Sequence, residues 1–165
     1  MDHLHKEAII DKSKKYRYSL SRIWNPKGKN FVHFVMLNPS TADHKIDDPT
    51  IKRCIKIAQS LEHDWEKYDG MYITNLFAYR STDPKKLYDK VLDVVWPDNN
   101  NFILNHAKKS KCSILARWNH GKIMKRHDEV IKLLEGFKTY CFWKNKSGHP
   151  KHPLYVRKDS KLIKF

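Results

Sequence analysis

The run Met71-Tyr72-Ile73-Thr74-Asn75-Leu76-Phe77-Ala78-Tyr79-Arg80 constrains this chain more than any other segment. It is apolar enough for a strand covered on both faces, yet it ends in polar, hydrogen-bonding side chains. Three other apolar runs end the same way, at Asn38, at Asn119 and in segment 144–153. If these strands are parallel, their polar ends gather at one edge of the sheet. In open α/β sheets that edge is where ligands bind.

Helix signals lie between the strands. Asp48-Pro49 reads as an N-cap followed by a first-turn proline, where the missing N–H costs nothing. Ile51, Cys54, Ile55, Ala58 and Leu61 form the buried stripe of that helix, with Lys52, Arg53 and Lys56 on its outer flank. Asp83-Pro84 repeats the signature and opens a short helix through Leu87 and Val91. Asp98 or Asn99 caps a third, carrying Phe102, Ile103 and Ala107. Ile123, His127, Val130, Ile131 and Leu134 mark a fourth, which Gly136 ends. Strands are predicted at 16–24, 31–37, 71–77, 112–118 and 137–143, with a short last one at 154–156. The first is read as half-buried, with Tyr16, Tyr18 and Leu20 on one face, and Asn25-Pro26-Lys27-Gly28 turns it into a hairpin. The alternation predicts a three-layer α/β/α sandwich: a mostly parallel sheet plus an N-terminal antiparallel hairpin strand. Residues 1–15 read as a polar segment, loosely held or a short amphipathic helix around Ala8 to Ile10. Residues 16–165 read as a single domain.

The formal net charge of +15 points to a polyanionic partner, and nucleic acid fits it better than a membrane surface, since no basic amphipathic helix stands out. Cys54, Cys112 and Cys141 are odd in number, lack Cys-x-x-Cys spacing and sit among apolar neighbours, so they are expected as buried free thiols. No signal-peptide pattern and no bilayer-length apolar run is visible, so a cytoplasmic location is expected.

Several residues carry candidate chemistry. Asn38-Pro39-Ser40 follows a buried strand. It is either a plain loop turn, or Asn38 and the following N–H groups hold a water or a ligand oxygen. Asn75 sits inside an apolar run, where it either staples a neighbouring loop or reads a base edge through its donor–acceptor amide. His149 and His152 lie in the proline-pinned loop His149-Pro150-Lys151-His152-Pro153. No Cys, Asp or Glu stands beside them to complete a metal site, and one imidazole could instead donate to a developing anion. Phe77, Tyr79, Trp118 and Trp143 are either core or stacking walls. Trp118-Asn119-His120-Gly121 ends another strand. Asp48, Asp83 and Asp98 read as caps, while Asp43 and Asp47 stay open as ligands of a metal-dependent nuclease.

Two resemblances follow from these motifs. Tyr16-Arg17-Tyr18-x-Leu20-x-Arg22-x-Trp24, Met36-Leu37-Asn38-Pro39-Ser40-Thr41-Ala42-Asp43, Asp48-Pro49-Thr50-x-x-Arg53, residues 74–82 and Lys146-Ser147-Gly148-His149-Pro150-Lys151-His152-Pro153-Leu154-Tyr155 resemble domain-of-unknown-function family 1643. That likeness spans most of the chain and implies a bacterial or phage origin. Asn38-Pro39-Ser40, Tyr72-Ile73-Thr74-Asn75 with Arg80, and His152-Pro153-Leu154 are more distantly similar to three motifs of the uracil-DNA glycosylases. The likeness departs at the water-activating aspartate of some branches and at the iron–sulfur cysteines of another.

The second resemblance implies a DNA base glycosylase-like enzyme on a uracil-DNA-glycosylase-like fold. Asn38 would hold water, His152 would stabilise the departing base, and Asn75 with Phe77, Tyr79 and Trp118 would bind the flipped base. Pro39, Ser40, Asp43, Asn119 and His149 would form the pocket loops. Arg80, Lys146, Lys151 and Leu154 would contact DNA. That chemistry needs no metal and no organic cofactor. The alternatives are a non-catalytic nucleic-acid or nucleotide binder and a metal-dependent phosphodiesterase built on Asp43, Asp47 and nearby histidines.

Overall fold

A computed structural model describes residues 4–90, 93–116, 118–120, 123–157 and 159–165, without the side chain of His63. The expectations placed on Val91 and Gly121 fall outside these residues. The fold is α/β, a seven-stranded mixed sheet flanked by helices. In chain order the strands are β1 (His5–Ile10), β2 (Arg17–Ile23), β3 (Phe31–Met36), β4 (Glu62–His63), β5 (Glu66–Lys67), β6 (Gly70–Asn75), β7 (Cys112–Leu115), β8 (Thr139–Cys141) and β9 (Ile163–Lys164). The main sheet runs β1-β2-β6-β3-β7-β8-β9, and β4-β5 form a separate small hairpin. β6, β3, β7 and β8 are parallel, and the strands outside them are antiparallel.

β3 lies between β6 and β7. The chain leaves it to one side through α1 (Pro49–Ser60) and crosses back past it through α2 (Asn99–Lys109). This is a topological switch point, and it opens a crevice at the carboxyl end of β3. Side chains alternate across the sheet into two cores. Val32, Phe34 and Met36 pack with Ile51, Cys54 and Ala58 of α1. Val35 and Leu37 pack with Ile103 and Ala107 of α2 and Val130 of α3 (Arg126–Leu133). Cover on both faces explains why these strands read as continuous apolar runs. All three cysteines are buried and free.

The cap at Asp48 forms as expected: its Oδ1 accepts from Ile51 N at 2.9 Å, with Pro49 opening the helix. Asp98 makes no side-chain cap bond. Asn99 is instead fully buried, and its amide donates to the carbonyls of Asn75 and Leu76. Gly136 follows α3 at φ +86°, a left-handed conformation that glycine adopts without strain.

The N-terminus departs from expectation. Residues 5–10 form neither a loose tail nor a helix but edge strand β1, because β2 offers an unpaired edge that Lys6, Ala8 and Ile10 cover with their half-buried faces. β2 is buried on both faces. Its hairpin partner is β1, and β6 is inserted between β2 and β3. The β1–β2 register slips between Ile9, opposite Ser19, and Ile10, opposite Arg17, which leaves Tyr18 as a bulge. Tyr16 and Tyr18 therefore pack beside Trp96 and Phe102, whereas Leu20 packs in the α1 core. Segment 154–156 is no strand: Pro153–Tyr155 is one 3₁₀ turn, and the last strand is β9.

A polar ladder crosses the α2 face of the sheet. His33 is fully buried, with Nδ1 2.9 Å from Ser113 Oγ and Nε2 2.8 Å from Thr74 Oγ1. His106 stacks on Tyr72 with ring centroids 4.7 Å apart, and neither of its ring nitrogens has a hydrogen-bond partner. Burial pushes His33 well below the ordinary histidine range and His106 down to about 4. Both rings stay neutral in the folded state but protonate when unfolded below pH ~6.5, so stability falls as pH drops. The urea midpoint should decline from about pH 6.5 towards pH 4. His106→Phe, which forfeits no hydrogen bond, should remove on the order of 3 kcal/mol of that decline. An unaltered pH profile in the variant would contradict this.

Candidate functional site

Segment 37–48, which joins β3 to α1, is fastened carbonyl by carbonyl. The β3–β6 pairing continues past both strands, with Leu76 N donating to Met36 O, Phe77 N to Leu37 O and Ser81 N to Pro39 O. Guanidinium groups then take the next four carbonyls. Arg80 donates from Nε to Ser40 O and from Nη2 to Thr41 O. Arg17 Nη1 donates to Ala42 O at 2.9 Å, and Arg22 Nη2 donates to Asp43 O. The Tyr18 bulge lets Arg17 and Arg22, an odd number of residues apart, reach the same loop.

The two arginines differ in their pairing. Arg22 is fully buried and forms an ion pair with Asp47, which Lys6 also contacts at 2.6 Å. Burial alone would raise the Asp47 carboxyl, but Lys6 and Arg22 outweigh it and hold it below the ordinary carboxylate range. Arg17 is as deeply buried but bonds only neutral acceptors, Ala42 O and Asn75 Oδ1, and its Nε has no partner. Burial pulls its guanidinium down to about 9, with Asp48 the strongest opposing charge.

Beside Arg17, at the carboxyl end of β3 and the N-terminus of α1, lies a hollow of about 290 Å³. Asn38, Ser40, Asp48, Thr50 and Leu154 help to line it. Asn38 is buried; its Nδ2 donates to Pro39 O and to Ser81 O, which fixes the amide orientation and leaves Oδ1 without a partner. Asn75 sits behind Arg17, accepting from Nη2 at 3.3 Å, and its Nδ2 is likewise unpaired. Polar atoms buried without partners are costly; Asn38 and Arg17, which carry two of them, line the hollow, whereas Asn75 does not.

The other sequence-derived candidates divide clearly. Ser40 and Leu154 line the hollow with Asn38. Pro39 supplies a loop carbonyl. Phe77 and Trp118 are fully buried in the α2–α3 core, where Trp118 Nε1 donates to Val35 O, so the structure places them in the core and not on the hollow. Tyr79 packs edge-on against Tyr16, 5.7 Å between centroids. Arg80 spends its donors on loop carbonyls, not on an outward face. Asp43 accepts from Ile46 N and Lys45 N, bonds that hold its carboxyl below the ordinary range. Among the described residues, no group of His, Cys, Asp and Glu side chains is placed to hold a metal ion.

The histidine loop approaches the hollow from the α1 side. His152 caps the turn Pro153–Tyr155, its Nδ1 accepting from Leu154 N at 3.1 Å, and Leu154 reaches the hollow. His149 turns towards α3, its ring edge-on to His127 at 5.6 Å. Asn119 bonds Asn145, and Lys146 and Lys151 are exposed. Arg17, Thr50 and Thr82 also line the hollow, as does Asp48 beyond its capping role. The signal for Arg17 was a cation set among strand aromatics, and the bulge that aims it leaves no mark in the periodicity.

Fold and site together define an α/β protein with a polar hollow at the switch point of its sheet. The family described as "Protein of unknown function (DUF1643)" matches residues 17–154, and the chain belongs to that family. Neither the curated proteins nor the solved structures give a match. No helix among the described residues is long and apolar enough to cross a membrane.

Removing Asp47 leaves the Arg22 charge buried without its partner. Asp47→Ala should cost about 3–5 kcal/mol in urea denaturation. A loss below about 1 kcal/mol, as for an exposed pair, would show that the pair does not hold the loop.

Proposed function

We propose that the protein is a DNA base glycosylase-like enzyme, a three-layer sandwich of the uracil-DNA glycosylase kind that receives a flipped base in the Asn38 hollow. One observation carries this reading: buried polar atoms of Asn38 and Arg17 stand without partners at a hollow near the lower end of the ~300–1,000 Å³ usual for small-molecule sites. The +15 charge suits a polyanionic substrate held through its phosphates.

The chemistry breaks the bond between C1′ and the base nitrogen. The electron pair leaves with the base, and water oxygen bonds to C1′. Asn38 Oδ1 serves as acceptor for one water O–H, since Nδ2 is committed to two carbonyls. Asp48, on the same hollow, takes the proton that the water releases. His152, whose Nδ1 accepts from the N–H of the hollow-lining Leu154, is the group this reading assigns to donate to the departing base. Arg17 adds positive charge beneath the developing anion.

The test is incubation with DNA carrying uracil, damaged bases or phage-type modified bases. The expected result is release of one class of base, unaffected by a chelator. His152→Ala should slow release by about 10²–10³-fold with DNA affinity retained. No release from any of these substrates, with binding intact, would overturn the enzymatic reading in favour of a pure nucleic-acid binder.

A further inference from the structure

Outside the hollow, a second feature is a groove lined in part by the histidine loop and the turn after it. It has a volume of about 470 Å³, with Trp143, Lys151, Tyr155, Arg157 and Lys161 along its walls. An adjoining hollow, which shares Phe142, Val156 and Arg157 with it, continues the basic lining to Arg53 and Lys56 of α1. Asp159 is the acidic residue on this path, beside Arg157 at 3.3 Å. Trp143 and Tyr155 are 61% and 77% exposed, a cost for large aromatic faces unless something covers them. Lys151 Nζ sits 6.0 Å from the centre of the Trp143 ring.

We propose that this groove is a track for single-stranded nucleic acid. Exposed aromatic faces interleaved with cations match unpaired bases and their phosphates together. In a duplex the bases already stack on one another and offer no face. The track adjoins the Asn38 hollow, because Leu154 lines that hollow while its neighbour Tyr155 lines the groove. A strand on the groove thus delivers a nucleotide to the hollow without first opening a duplex. The inference rests on the reading that the protein engages nucleic acid, but not on catalysis.

Binding of a labelled, unmodified oligo-deoxythymidine tests it, since no base release is involved. The full chain should bind the single strand more tightly than a duplex of equal length. Trp143→Ala and Tyr155→Ala should each weaken single-strand binding about tenfold or more with little change for the duplex, while Trp143→Phe should restore most of the loss. Lys151→Gln and Arg157→Gln should each lower the slope of log affinity against log salt by about 0.7. Circular dichroism verifies that these surface variants fold. Equal affinity for duplex and single strand, or alanine variants that bind oligo-deoxythymidine like the parent, would overturn the track. Either result would leave base excision to be judged by its own assay.

Discussion

The site depends on the capture of four consecutive carbonyls, those of residues 40 to 43, by three arginines. A loop after a strand has lost its ladder and needs other donors for its backbone. Guanidinium groups suit the task because each presents several N–H groups in a fixed fork. With pairing of 36, 37 and 39 to the 76–81 stretch, the path from β3 to α1 is held almost residue by residue. That rigidity fixes Asn38 and Asp48 relative to each other, as the proposed site requires before its substrate arrives.

The contrast between Arg22 and Arg17 separates support from function. Both are fully buried on β2. Arg22 meets a carboxylate and so stabilises the loop as a buried pair does. Arg17 meets only neutral oxygens and keeps one N–H unsatisfied. A chain selected for stability alone gains little from such a group, since an apolar side chain of similar volume often does as well. It lines a hollow with the Asn38 acceptor and the Asp48 carboxylate, which fits the proposed site.

The parallel core was legible because both-face burial writes continuous apolar runs, as in 31–36 and 70–75, and because Asp48-Pro49 is an unambiguous helix start. The edges were not legible. β1 alternates weakly and carries His5, Lys6 and Glu7, so only an open edge on β2 makes it a strand. The Tyr18 bulge is invisible to a period-two count, and it alone moves Leu20 to the other face. Within the site, Asn38 announced itself through its place after a strand, and Asn75 through polarity within an apolar run. The aromatics misled, because Phe77 and Trp118 sit at strand ends yet turn inward, and sequence position does not tell inward from outward there. Trp143, just past β8, and Tyr155, in the turn Pro153–Tyr155, face outward.

The most direct measurement is a crystal structure of the protein soaked with a nucleobase or nucleoside. The arrangement predicts a ring seated in the hollow within hydrogen-bond reach of Arg17 Nε, with a water on Asn38 Oδ1 beside Asp48. A ligand seated elsewhere at saturating concentration, with those two atoms still unpaired, would contradict it.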